Sequence, residues 1–255
     1  MLADLDLYLF DTQGFVMLRG VAADLVTQLK AEVEPHLRPD ADQDNTVSCR
    51  DIVVRSAVVR ELAGSPRVTG MVRPVVNQPF RLIEAYAVGR FAESRLPLHN
   101  GLAEPIRSLQ GEPALNLSHS HGYRDGRLYC MFVKALIYLD PIGSEDDGPF
   151  CFVPGSHKAN LPILPLLAGD THPHHTIADG RSPLLDLVYA EPGDVLLLNE
   201  SLTHGTYPKH STVPRTVLAL SYAPSFVGDW RPYRSSDPIV GGEPGHYEAY
   251  EGDVW

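Results

Sequence analysis

At 255 residues, 44% of them hydrophobic, the chain is long enough to bury a full core and fits one large β-rich or α/β domain. Its formal charge of −11 comes with dispersed acids and no Lys/Arg run longer than two residues, which argues against a nucleic acid polymer or an anionic membrane as the main partner. A small-molecule partner is expected instead.

The start, MLADLDLYLFDTQGFVML, has no basic stretch followed by an apolar run, and nowhere does the sequence reach the ~18 apolar residues that span a bilayer. A soluble, cytoplasmic protein is the expectation. GFVMLRG (14–20) reads as a short strand, and the next segment sets Val21, Leu25, Leu29 and Val33 on one face of a helix ending near Pro35. Residues 38–50 are polar and read as a surface loop, and 51–77 as a helix interrupted at Gly64-Ser65-Pro66. From residue 80 the pattern turns to β. FRLIEAYAVGRF, LYCMFVKALIYLD, PFCFVPGSH, LLDLVYA, DVLLLNES and RTVLALSYA are short runs rich in Val, Ile, Leu, Tyr and Phe, separated by turns such as GSEDDGP and EPGD. Many short strands with Gly/Pro turns predict a sandwich or jelly-roll barrel. Cys49, Cys130 and Cys151 form no CxxC pair, so reduced, buried thiols are expected.

Three segments carry chemistry: GFVMLRGV before a helix, LDPIGSEDDGPFCFVPGSHK, and EPGDVLLLNESLTHGTYPKHSTVPRTVLALSYAP. In this order, over residues 14 to 226, they resemble the phytanoyl-CoA dioxygenase (PhyH)-like family of Fe(II)/2-oxoglutarate-dependent oxygenases. The resemblance implies a mainly β double-stranded β-helix, a cupin-like jelly roll with flanking α-helices. It would be a single domain over 1–255: a helical part at 1–78, a core at 79–226 and a tail at 227–255. It implies Fe(II), 2-oxoglutarate and O2 as cofactors, with His99 and His204 as metal ligands and Arg215 binding the distal carboxylate of 2-oxoglutarate. A planar guanidinium suits that bidentate grip. Thr206, two residues past His204 and on the same side of an extended strand, is placed to donate its hydroxyl to the same group.

The departure from the family lies at His99-Asn100-Gly101. The family expects His-x-Asp/Glu, and a glycine side chain cannot bind metal. Related halogenases carry Gly or Ala there and take a halide in the vacated position, so Gly101 predicts a chloride site and chlorination of a nucleotide, amino acid or natural-product intermediate. Hydroxylation is the alternative, with Glu104, Asp125 or Glu200 restoring the carboxylate. A non-catalytic β-barrel binding protein is the third reading. Lys134, a cation within a strand and on one face with Cys130 and Tyr138, is a candidate for cosubstrate or substrate contact, or for a side chain that snorkels to an edge. His119, His121, Tyr123 and Arg127, in SHSHGYRDGR, are candidates to meet substrate from a loop over the barrel mouth. The histidines of THPHHT (171–176) and the acids at 145–147 read as solvated turns.

Overall fold

The computed structural model describes residues 2–37, 45–100, 121–159 and 184–224. The first element is a helix, α1 (Asp4–Gln13), ahead of strand β1 (Phe15–Leu18). The sequence pattern alone puts the strand first. The helix escapes pattern reading because it buries only Phe10 and has no apolar stripe. It ends at Gly14, whose positive φ of 90° is a left-handed cap that a side chain would strain.

Next comes α2 (Val26–Val33), with Leu29 and Val33 buried and Val21 and Leu25 packed beside them, as the four-residue spacing predicts. The expected loop at 38–50 is corrected at its end. Thr46–Cys49 is β2, an edge strand paired with β3 (Phe80–Arg90). The segment 51–77 holds α3 (Ile52–Arg55), α4 (Ala57–Gly64) and α5 (Pro66–Val76). The break at Ser65-Pro66 fits a proline at the first turn, where its missing N–H costs nothing.

The remaining strands are β4 (Leu96–His99), β5 (His121–Arg124), β6 (Arg127–Cys130), β7 (Val133–Tyr138), β8 (Phe150–Phe152), β9 (Asp186–Val188), β10 (Val195–Asn199), β11 (His204–Thr206) and β12 (Arg215–Pro224). They form a larger antiparallel sheet, ordered β1-β10-β7-β12-β3-β2, and a smaller one, β4-β11-β8-β9. With helices packed outside the larger sheet, this is a mainly β jelly roll.

Every residue of β7 and β10 is buried. One face of these strands (Val133, Ala135, Ile137, Val195, Leu197) packs with helical residues such as Leu29, Val59 and Val72. The other (Leu136, Tyr138, Leu196, Leu198) meets Phe150 and Phe152 of the smaller sheet. Burial on both faces is why these strands read as continuous apolar runs rather than alternations. Cys130 lies with the helix-side cluster, whereas Lys134 and Tyr138 face between the sheets, so the three do not share a face. The break between β6 and β7 at Met131-Phe132 shifts the alternation. All three cysteines are free and buried.

Candidate active site

The site grows out of one register pair. β4 and β11 are antiparallel, with His99 directly opposite His204, so both imidazoles stand on the same face with ring centroids 4.2 Å apart. Gly205 permits this closeness: a Cβ there would stand 2.7 Å from the carbonyl oxygen of Leu96 and 3.0 Å from that of Pro97. The two rings are locked alike. His99 Nδ1 donates to the Pro97 carbonyl at 2.9 Å, and His204 Nδ1 donates to the Leu202 carbonyl at 2.6 Å. A proton held on Nδ1 leaves the Nε2 lone pair free, the form in which histidine binds metal. Burial lowers the pKa of both, by more than Glu200 and the Pro97 carbonyl raise that of His99, and the neighbouring His99 ring lowers that of His204 further, which favours the neutral form of each ring.

A carboxylate completes the group. The chain leaves β10 through a tight turn in which Leu202 N–H donates to the Asn199 carbonyl and Ser201 N–H to the Asn199 side chain. That turn aims Glu200 inward, with Oε1 4.0 Å from His204 Nε2. One ligand atom from each of His99, Glu200 and His204 lies within 4.8 Å of the others. Two histidines and one carboxylate with open space beyond are the donor set of non-haem Fe(II) oxygenases. Glu200 Oε1 also accepts from Lys134 Nζ at 3.0 Å, while Oε2 has no hydrogen-bond partner despite its burial. Burial would lower the lysine pKa, but Glu200, Tyr86 and Glu84 outweigh it and hold the ammonium charged.

His99, His204 and Lys134 open on a cavity between the sheets, lined also by Thr206, Arg215, Arg90 and Tyr138 and walled by Leu136, Leu198, Val217 and Ala219. Arg215 is anchored through Nη1 to the carbonyls of Asp147 and Gly148. Thr206 Oγ1 accepts from Leu96 N–H at 2.9 Å, which leaves its hydroxyl proton free to donate.

Residues 119–217 match the family described as phytanoyl-CoA dioxygenase (PhyH). HygX from Streptomyces hygroscopicus, solved with nickel and 2-oxoglutarate bound, is 40% identical over 91% of this chain and 91% of its own, with a TM-score of 0.79. The chain belongs to the PhyH-like family of Fe(II)/2-oxoglutarate-dependent oxygenases. HygX with nickel, 2-oxoglutarate and hygromycin B bound gives 41% identity, 90% coverage of each chain and a TM-score of 0.80. The epimerase SnoN from nogalamycin biosynthesis, at 18% identity over 95% of this chain and 90% of its own, shares the fold with a TM-score of 0.66. No curated protein matches the chain.

Within this PhyH-family chain, His99, His204, Thr206, Arg215 and Lys134 share one cavity. Gly101, Glu104, His119 and the THPHHT segment lie outside the described residues. Asp125 is no ligand. It sits at positive φ with Gly126 in the two-residue turn of the β5–β6 hairpin, where Asp-Gly meets the geometry such turns demand, and its side chain is in solvent. His121 is not at the mouth but buried, bonded to Asp11 of α1 at 2.9 Å and to Asn199 at 2.9 Å. Tyr123 and Arg127 are exposed on the hairpin and do not line the cavity. Of the acids at 145–147, Asp147 holds Arg215 by its backbone carbonyl, and its carboxylate ties the turn to Ser144. Arg90 and Tyr138 line the cavity without having been site candidates in the sequence. Tyr138 carried a signal as a hydroxyl-bearing side chain inside a mostly apolar run, whereas Arg90 stands at the end of its strand.

Proposed function

We propose that the chain is an Fe(II)/2-oxoglutarate-dependent oxygenase that oxidises an unactivated C–H bond of a small natural product of the hygromycin B kind. Iron would be held by His99, His204 and Glu200, with the last standing in for the carboxylate missing at Gly101. The convergence of these three ligand atoms carries the reading. Bound iron would supply O2 activation coupled to oxidative decarboxylation of 2-oxoglutarate. The protein's own groups do the rest. The backbone carbonyls of Pro97 and Leu202 fix the histidine tautomers, and Lys134 holds the Glu200 carboxylate toward them. Arg215 and Thr206 would take the distal carboxylate of 2-oxoglutarate, and Leu136, Leu198, Val217 and Ala219 would keep water from the reacting carbon. HygX, solved with nickel, 2-oxoglutarate and hygromycin B bound, supports the cosubstrate and the substrate class. The charge of −11 favours a cationic over an anionic substrate.

Chlorination is the second reading, and the His99-x-Gly101 spacing favours it. It requires a halide where a carboxylate would otherwise bind, and Glu200 supplies a carboxylate. Turnover of hygromycin B-like compounds in chloride- and bromide-free buffer, with products weighed by mass spectrometry, separates the two. The expected product gains oxygen without halide, and Glu200→Ala loses both metal binding and turnover. A chlorinated product that needs chloride, is still formed by Glu200→Ala and is abolished by Gly101→Asp would overturn the oxygenase assignment in favour of the halogenase.

A further inference from the structure

β3 and β12 run antiparallel with Arg90 directly opposite Arg215, Val88 opposite Val217 and Tyr86 opposite Ala219. All six face the cavity. Two cations are therefore paired in register inside the molecule, 7% and 4% exposed, an arrangement that is destabilising without a counter-charge. Among the described residues no carboxylate forms an ion pair or hydrogen bond with either guanidinium, and Asp147 and Asp140 act on Arg215 only through longer-range charge. Asp147 caps the turn at Gly143 and Ser144, Asp140 pairs with Lys30 and accepts from Thr216 N–H, and Glu200 is matched by Lys134. Arg90 feels the imbalance. Burial, and then Arg215, pull its pKa down to about 9, which still leaves it charged at neutral pH.

The donors are also unspent. Arg90 Nη1, Arg215 Nε and the Tyr138 hydroxyl are all buried without a hydrogen-bond partner, and all belong to residues lining this cavity. One such orphan is tolerable, but three on the walls of one cavity with an excess of positive charge describe a site for an anion with several acceptor positions. The apolar pair Val88 and Val217 separates these donors from the Tyr86–Lys134 side, where the histidines and Glu200 lie. A ligand serving both ends must carry a carboxylate away from its metal-binding end.

We infer that Arg90 is a second cosubstrate-binding residue, which with Arg215 and the Tyr138 hydroxyl forms a two-arginine clamp that selects a 2-oxo acid bearing a distal carboxylate. This deepens the proposed function and rests on the cavity being a 2-oxoglutarate site. The test uses the nickel-loaded full chain and titration calorimetry with two probes: 2-oxoglutarate, and 2-oxopentanoate, which keeps the 2-oxo acid and the chain length but lacks the distal carboxylate.

Wild type should prefer 2-oxoglutarate strongly. Arg90→Met should weaken 2-oxoglutarate by roughly 10- to 100-fold, the scale of a lost hydrogen bond to a charged group, and leave 2-oxopentanoate and nickel binding unchanged. Arg90→Lys, which keeps the charge but not the fork, should fall between. If Arg90→Met and Arg90→Lys both bind 2-oxoglutarate as wild type does, or lose both probes equally, the clamp is wrong and Arg90 is structural. Should Arg90→Met not fold, Arg90→Lys with the two probes decides by the same ratio. Failure of wild type to bind 2-oxoglutarate at all would remove the cosubstrate reading itself, whereas dependence on Arg215 but not Arg90 would remove only this inference.

Discussion

Each residue of the site owes its place to a neighbour with no chemistry of its own, and Gly205 shows this most sharply. It lies between His204 and Thr206, against the carbonyls of Leu96 and Pro97 in the strand that carries His99. Gly205→Ala should push β4 off β11 and part the two histidines while leaving every ligand side chain present. Overpacking against backbone costs on the order of 1–3 kcal/mol, so the melting temperature should fall by several degrees and nickel affinity by at least about tenfold. Wild-type nickel affinity in a titration of the variant would show that the strands can yield there. At this scale the sequence was partly legible. His99, His204 and Arg215 stand out through the family resemblance, and Thr206 by its two-residue step from His204 along an extended strand. Glu200, the carboxylate that meets the two histidines, was only one of three candidates. Whether Glu200 faces the histidines depends on the hydrogen bonds of the Asn199 turn, and Asp125 was separated from it by the hairpin geometry of Asp125-Gly126. Arg90 was missed because a charge at a strand end reads as exposed until the opposite strand is known.

Among the elements, α1 is one the sequence did not announce, and polar contacts add to the burial of Phe10 in holding it. Asp11 accepts from His121 on its carboxylate and from His157 Nε2 and Lys158 Nζ on its backbone carbonyl, and the His121 and His157 rings meet edge to face at 4.5 Å. Burial, then the His121 charge, lower the His157 pKa from its usual value to about 4, and His121 is lowered by burial as well. For histidines whose folded pKa is depressed, the unfolded chain binds more protons between the two values. Stability is therefore full above about pH 6.5 and is lost as pH falls toward 4. The loss from His157 is at most about 3 kcal/mol. Asp11 titrates at lower pH and does not share this window. Melting temperature measured from pH 7.5 to 4.5 should drop steeply, and His157→Gln should flatten the profile. A wild-type profile level across that range would mean the two rings are not buried as a neutral pair. The β elements were legible because short apolar runs between Gly/Pro turns have few other solutions. β2 was not, since as an edge strand it carries polar side chains and takes its structure from pairing with β3.

For the molecule as a whole, the group of His99, Glu200 and His204 draws on both sheets. No helix among the described residues is long and apolar enough to cross a membrane, and the two sheets meet mainly through apolar packing. Glu200 leaves the larger sheet and His204 enters the smaller one within a single turn, while His99 comes from a strand far upstream. A metal that binds only the folded form adds RT ln(1 + [M]/Kd), about 2.7 kcal/mol at 100 times Kd. Added nickel should therefore raise the melting temperature of wild type by several degrees and of Glu200→Ala very little, and a chelator should reverse the gain. Equal shifts in both proteins would place the metal elsewhere. Because His99 and Glu200 are so distant along the chain, an ion held between them closes a long loop, and loop closure is where a cross-link removes the most freedom from an unfolded chain. With three buried thiols and no disulfide, this protein would have its strongest long-range tether in a bond that forms only when metal is supplied and dissolves when it is withdrawn.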